Sequence, residues 1–162
     1  MGLVRGFPAY ENAILGYQLV PAYSEHGFLK KRSIIARCLD WMRSYDVRPA
    51  APHLQATSFS GGNQQKLVLA REMEHGPDLL LVGQPTRGVD IGAIEFIHKR
   101  LVAMRDAGKA ILLVSVELDE IMSLADRIIV MFDGTITGEV DQAEATARRL
   151  GRLLAGISGE AA

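Results

Sequence analysis

The run Ser60-Gly61-Gly62-Asn63-Gln64-Gln65-Lys66 has the residue types and order of an anion-binding helix start. A helix leaves its first N–H groups without intrahelical partners, and its dipole makes that end positive. Two glycines there let a phosphate approach the backbone with no side chain between them. Ser60 can cap the helix or touch the phosphate itself. Taken alone, Ser-Gly-Gly also describes an ordinary turn before a helix, so the chemistry has to be argued from its surroundings.

Downstream, Asp78-Leu-Leu-Leu-Val82 is an apolar strand that runs into the polar loop Gly83-Gln84-Pro85-Thr86-Arg87-Gly88-Val89-Asp90. A second buried strand, Ile111-Leu-Leu-Val114, leads through Ser115-Val116-Glu117 into a helix. Ala125-Asp126-Arg127 then precedes a third apolar run, Ile128–Phe132, and Asp133-Gly134. Other reactive side chains carry less. His26, His53, His75 and His98 have no partners at metal-ligand spacing, Cys38 lies on an apolar stripe, and Glu117 and Asp119 suit a helix start.

These residues need a scaffold, and the periodicities supply one. A short helix is expected from about Ala9 to Leu15, with Pro8 at its first turn, then a loop over Gly16–Gly27. Leu29–Tyr45 places Ile34, Ile35, Cys38, Trp41, Met42 and Tyr45 on one helical face. Pro49 and Pro52 make Asp46–Phe59 a linker. From Ser60 the pattern turns to α/β: helix Gly62–Glu74, strand Leu79–Val82, helix Ile91–Arg105, strand Ala110–Ser115 and helix Glu117–Leu124. Asp133-Gly134 joins Ile128–Phe132 and Thr135–Val140 as a hairpin, and a final helix is expected over Gln142–Leu154. Strands alternating with helices imply a mainly parallel sheet covered by helices.

Composition fits one globular domain of 162 residues, 48% hydrophobic and 23% charged. Eighteen basic against nineteen acidic residues give a net charge of −1, which argues against nucleic acid as a partner and against an acidic, disordered role. The single cysteine cannot form an internal disulfide and fits a reducing compartment. No apolar run reaches the ~18 residues of a spanning helix, and the N-terminus lacks a signal-peptide pattern.

In this order and spacing the motifs resemble the C-terminal half of an ATP-binding-cassette (ABC) ATPase. Ser-Gly-Gly-Asn-Gln-Gln-Lys with Gln-Pro-Thr-Arg-Gly is similar to the second cassette of simple-sugar and nucleoside importer ATPases. By that resemblance Phe59–Asn63 is the signature, Leu79–Gln84 the Walker B strand, Gly88–Asp90 the D-loop and Ser115–Glu117 the switch loop. The implied fold class is α/β, a partial ABC-type P-loop NTPase fold. Residues 1–58 would form the helical subdomain, and 59–162 the C-terminal half of the ATPase core, ending in a hairpin and helix. Gly2–Leu15 resembles the family sequence entering that subdomain, so the chain is expected to begin just after the Q-loop.

Several departures bear on mechanism. Where the family's Walker B strand ends in an Mg²⁺-binding Asp and a water-orienting Glu, this chain has Gly83 and Gln84. Glycine offers magnesium no ligand, and a glutamine amide cannot take a proton, a role worth about 10²–10⁴ in rate. Val116 stands where the switch histidine is usual. The phosphate loop G-x-x-x-x-G-K-[S/T] is absent from the sequence.

The resemblance therefore implies a half-cassette whose own site is degenerate, with no confident catalytic residue. Its signature, Ser60, Gly61, Gly62 and Asn63, would serve ATP held by another cassette, with Asp90 touching that cassette. ATP and Mg²⁺ are expected in the intact transporter rather than tightly on this chain alone. The implied partners are the other ATPase cassette, transmembrane permease subunits and, indirectly, a solute-binding protein, at the cytoplasmic face of the membrane. Three alternatives stand beside this: a docking module without a nucleotide role, an inactive fragment, and a DNA-repair ABC ATPase. The lack of coiled-coil heptads and basic excess weighs against the last.

Overall fold

The computed structural model describes residues 2–157. Its elements, in chain order, are α1 (Ala9–Ala13), β1 (Ser24–Glu25), β2 (Phe28–Leu29), α2 (Lys31–Ser44), α3 (Gly61–Glu74), β3 (Leu79–Gly83), α4 (Ile91–Asp106), β4 (Ala110–Val114), α5 (Leu118–Leu124), β5 (Arg127–Phe132), β6 (Thr135–Asp141) and α6 (Ala147–Leu154). They fall into two compact units. One comprises the residues up to Leu80 with Pro85–Ile111, the other Leu81–Gln84 with the residues from Leu112 on.

In the first unit, the stripe expected on α2 is the buried face. Ile34, Cys38, Trp41 and Met42 are all buried, and Tyr45 caps the helix with its ring inside. Helices α1, α2 and α3 touch one another, and α3 also touches α4. Asn12 fixes the entry of the chain. It is fully buried, accepts from Val4 N (2.8 Å) and donates to the Val4 and Phe7 carbonyls (3.0 and 3.1 Å). Buried Arg71 of α3 donates to the carbonyl of Gly2 (2.8 Å), so the N-terminal segment is tied to the helix that carries the signature-like motif.

Two expectations need amendment here. The Gly16–Gly27 loop contains the first strand of a small hairpin, because His26 and Gly27 both adopt positive φ (48° and 83°) and turn β1 onto β2. The Asp46–Phe59 linker is not free either. Ala9 N donates to Leu54 O (2.9 Å) and Ala56 N to Phe7 O (3.0 Å), which pairs the linker with the segment before α1.

Strands β3 and β4 pair with each other. Ala110 N donates to Asp78 O (2.9 Å) at one end and Gln84 N to Val114 O (2.8 Å) at the other, so the two run parallel. In the second unit, β5 and β6 form the expected antiparallel hairpin, with Phe132 opposite Thr135. Its turn residues Asp133 and Gly134 have φ of 46° and 74°, the backbone a type I′ turn requires. Ile128, Val130, Val140 and Leu150 make the core beneath it. A side chain at Gly138 would lie 2.7 Å from Leu153, so glycine is what lets α6 lie against β6.

The single helix expected over Gln142–Leu154 is instead two pieces, a 3₁₀ turn at Gln142–Glu144 and then α6. Thr146 accounts for the break. Its hydroxyl accepts from Arg149 N (3.1 Å), a better use of threonine at an N-cap than inside a helix.

Candidate functional site

Helix α3 begins as the sequence implies. Ser60 is its N-cap, in extended conformation (φ −60°, ψ 160°), and Gln64 N closes the first turn onto Ser60 O (2.9 Å). The Ser60 hydroxyl oxygen accepts from Asn63 Nδ2 (3.0 Å) and, at longer range, from Asn63 N (3.4 Å). Two donors occupy its acceptor capacity, so the hydroxyl proton is left to be donated outward. Asn63 is committed inward on its other side too, since its Oδ1 accepts from Arg48 N (2.9 Å).

Among the described residues, the N–H groups of Gly61 and Gly62 have no hydrogen-bond partner. Neither glycine has a positive φ. A Cβ on Gly61 would come no closer than 3.9 Å to its nearest neighbour, Gly88 O, and one on Gly62 no closer than 3.6 Å, to Asp90 Oδ2. Backbone conformation and packing would therefore accept alanine at both positions. What two bare glycines supply is open N–H groups beside a serine hydroxyl, which suits the oxygens of a phosphate.

The D-loop-like residues lie beside this point. Gly62 sits against Val89 and Asp90, and Asp90 caps α4 by accepting from Ala93 N (2.9 Å). The starts of α3 and α4 thus border a hollow of about 400 Å³. Its rim includes Lys66, the last residue of the Ser60–Lys66 run, and two residues that sequence reasoning did not single out, Asp46 and Arg48. Asp46 accepts from Arg48 Nε (2.7 Å) and pairs with Lys66 Nζ (3.5 Å). Those contacts, the Arg48 hydrogen bond first, hold the Asp46 carboxyl below its usual range. Lys66 also donates to the Asp46 carbonyl (3.1 Å) and lies over the Phe96 ring.

The positions expected to be degenerate look different. Gly83 ends β3 with open space where a Cβ would point, so nothing in the packing forbids a carboxylate there. Gln84 has a φ of 51°, rare for a residue with a side chain. Val116 is 73% exposed, and Ser115 Oγ accepts from Glu117 N (3.1 Å). Among the described residues no cluster of His, Cys, Asp or Glu could hold a metal ion. The start of α3 thus has the donors that a phosphate takes, while the described residues offer no His, Cys, Asp or Glu cluster to hold Mg²⁺. No helix of the described residues is long and apolar enough to cross a membrane.

No protein-family model matches the sequence. Known proteins do. The chain is 48% identical over 155 residues to the guanosine import ATP-binding protein NupO of Bacillus subtilis, covering 96% of the chain and 30% of that protein. It is equally identical, at the same coverage of the chain, to the nucleoside import ATP-binding protein NupA of Lactococcus lactis, of which it covers 31%. The ribose import ATP-binding protein RbsA 1 of Rhizobium meliloti is 34% identical over 160 residues, 99% of the chain and 31% of that protein. The chain therefore spans about 30% of the length of the curated relatives it matches. Among solved structures, the dimeric bacterial ABC transporter cassette MJ0796 superposes with a TM-score of 0.71 at 22% identity, over 86% of this chain and 59% of that one. A putative metal-chelate type ABC transporter in an inward-facing conformation gives 0.73 at 12% identity, over 92% and 58%.

Proposed function

This chain belongs to the ABC transporter ATP-binding proteins, and on that premise we propose that it presents a signature motif to ATP held by another cassette. The observation that carries this is the start of α3. Gly61 and Gly62, glycines that neither packing nor backbone conformation requires, hold N–H groups with no hydrogen-bond partner among the described residues, beside a Ser60 hydroxyl whose proton is free to be donated. Hydrogen bonds from such groups to a phosphate are charge-assisted, about 1.5–3 kcal/mol each. They sit where charge builds up during phosphoryl transfer, so they favour turnover as well as binding.

Residues 1–58 then act as the helical subdomain and 59–162 as half of the ATPase core. The chain's own site is non-hydrolytic, since Gly83 and Gln84 supply neither metal ligand nor base and Val116 stands at the switch position. Asp90 lies at the face shared with the opposing cassette. ATP, with Mg²⁺ bound through that cassette, is the nucleotide. The transported solute is a small one, and the 48% identity to nucleoside import proteins against 34% for a ribose protein favours a nucleoside over a sugar. The partners are the opposing cassette and permease subunits, with a solute-binding protein reached indirectly, at the cytoplasmic face of the membrane.

The test is steady-state ATPase activity of the assembled transporter with Gly61→Asp or Gln84→Ala. Space around Gly61 admits the new side chain, and an acidic residue in a first helical turn is favourable, so the variant keeps its fold. Its carboxylate nonetheless meets the phosphate. Hydrolysis is expected to fall by about 10²-fold or more in Gly61→Asp and to change little in Gln84→Ala. The reverse ranking would put the working site in this half and end the proposal.

A further inference from the structure

We propose that Arg48 is a further anion-binding residue of the signature site, hung on Asn63, parked on Asp46 and released to the polyphosphate of the incoming nucleotide. This rests on the signature reading above and names a ligand contact outside the motif. Arg48 is twelve positions before Ser60 in sequence, yet its backbone N–H is held by the same Asn63 side chain that holds the Ser60 hydroxyl. One asparagine thus sets the distance between the guanidinium and the helix start. Asn63 becomes a positioning residue, with both ends of its amide used inside the chain.

The two cations on the rim are held in unequal ways. Lys66 is only 11% exposed, fixed by the Asp46 carbonyl and carboxylate and by the Phe96 ring. The Arg48 side chain is 80% exposed and, among the described residues, rests on the half-exposed Asp46 carboxylate alone. An exposed pair of that kind contributes at most about 1 kcal/mol, whereas a guanidinium meets a polyphosphate through two parallel hydrogen bonds and against more charge. Arg48 is therefore the part that can move, and Asp46 is its resting partner. The neighbouring carboxylate, Asp90, is engaged in capping α4.

The probe is inorganic tripolyphosphate on the full chain, without magnesium, read by mass spectrometry so that association does not interfere. Two quantities are followed: the rate at which an arginine-selective dicarbonyl modifies Arg48, with Arg105 as internal reference, and hydrogen exchange of the peptide containing Gly61 and Gly62. Tripolyphosphate is expected to slow both. In Asp46→Asn the half-saturating concentration should fall about fivefold, because a carboxylate that competes for Arg48 and repels the ligand is gone. A merely structural Asp46–Arg48 pair predicts no such gain. Protection of the glycine peptide with Arg48 unshielded would overturn the role of Arg48 and leave the signature reading standing. Protection of neither would overturn both. Equal shielding by sodium chloride at matched ionic strength would mean screening alone and would also overturn the proposal.

Discussion

Gln84 holds a left-handed backbone (φ 51°) between the end of β3 and buried Pro85. A residue with a side chain pays roughly 1–2 kcal/mol for that conformation, and glycine does not. Part of the relief is cancelled by the greater freedom of glycine in the unfolded chain. Gln84→Gly is therefore expected to raise stability by about 0.5–1 kcal/mol, or about 2 °C in the melting midpoint, and Gln84→Val to lower it. Calorimetry on the three proteins checks this, and a lower midpoint for the glycine variant would show that the glutamine side chain itself holds the loop. The contrast between this position and Ser60 also shows what a sequence can reveal at residue scale. Ser60, Gly61, Gly62 and Asn63 were readable because the cap, the bare amides and the first turn are local in sequence. Asp46 and Arg48 were not, since only the path of the chain after α2 brings them to the start of α3, and nothing in Asp46-Val47-Arg48 signals a ligand.

At the scale of elements, helix α2 was legible because its apolar residues recur at helical spacing and all but one, half-buried Ile35, are buried as that spacing requires. The β1–β2 hairpin was missed because its turn uses His-Gly, a weaker signal than Asn-Gly or Asp-Gly, and its strands are two residues each. The split before α6 was missed because helical periodicity says little about a capping threonine. Burial on α2 has a consequence for pH. Desolvation pushes the Cys38 thiol up to about 12, and desolvation with the nearby Glu74 carboxylate pushes the Tyr45 phenol upward too. Both groups stay protonated in the fold while the unfolded chain, with an ordinary thiol near 8.5, gives up its proton. The unfolded state then binds fewer protons, so stability is full below that value and declines as pH rises towards about 12. Urea midpoints are expected to fall between about pH 8 and about pH 10.5, with a shallower fall in Cys38→Ala. An unchanged slope in that variant would mean that the thiol is not the titrating group. Consistent with the same burial, Cys38 should react with a thiol reagent only on unfolding.

For the whole molecule, the exposed apolar side chains point to its behaviour in isolation. Along β3 burial alternates, with Leu80 and Val82 buried and Leu79 and Leu81 more than half exposed. Leu112 and Val114 of β4 are also more than half exposed, so the β3–β4 pair leaves one apolar face uncovered by the described residues. Among the described residues each of these strands has only the other as a neighbour in its sheet, which leaves outer backbone edges available for pairing. Exposed apolar side chains beside open strand edges are a usual start of association in a soluble protein. The purified chain is thus expected to self-associate in a concentration-dependent way and to bind a hydrophobic dye. Leu81→Lys with Leu112→Lys should reduce both, because charge on that face blocks stacking and edge pairing while Leu80 and Val82 keep the buried side intact. Light scattering and dye fluorescence across a concentration series measure the two effects. A monomer at every concentration, with a sharp cooperative melt and no dye binding, would mean that the face is closed in solution by the chain itself.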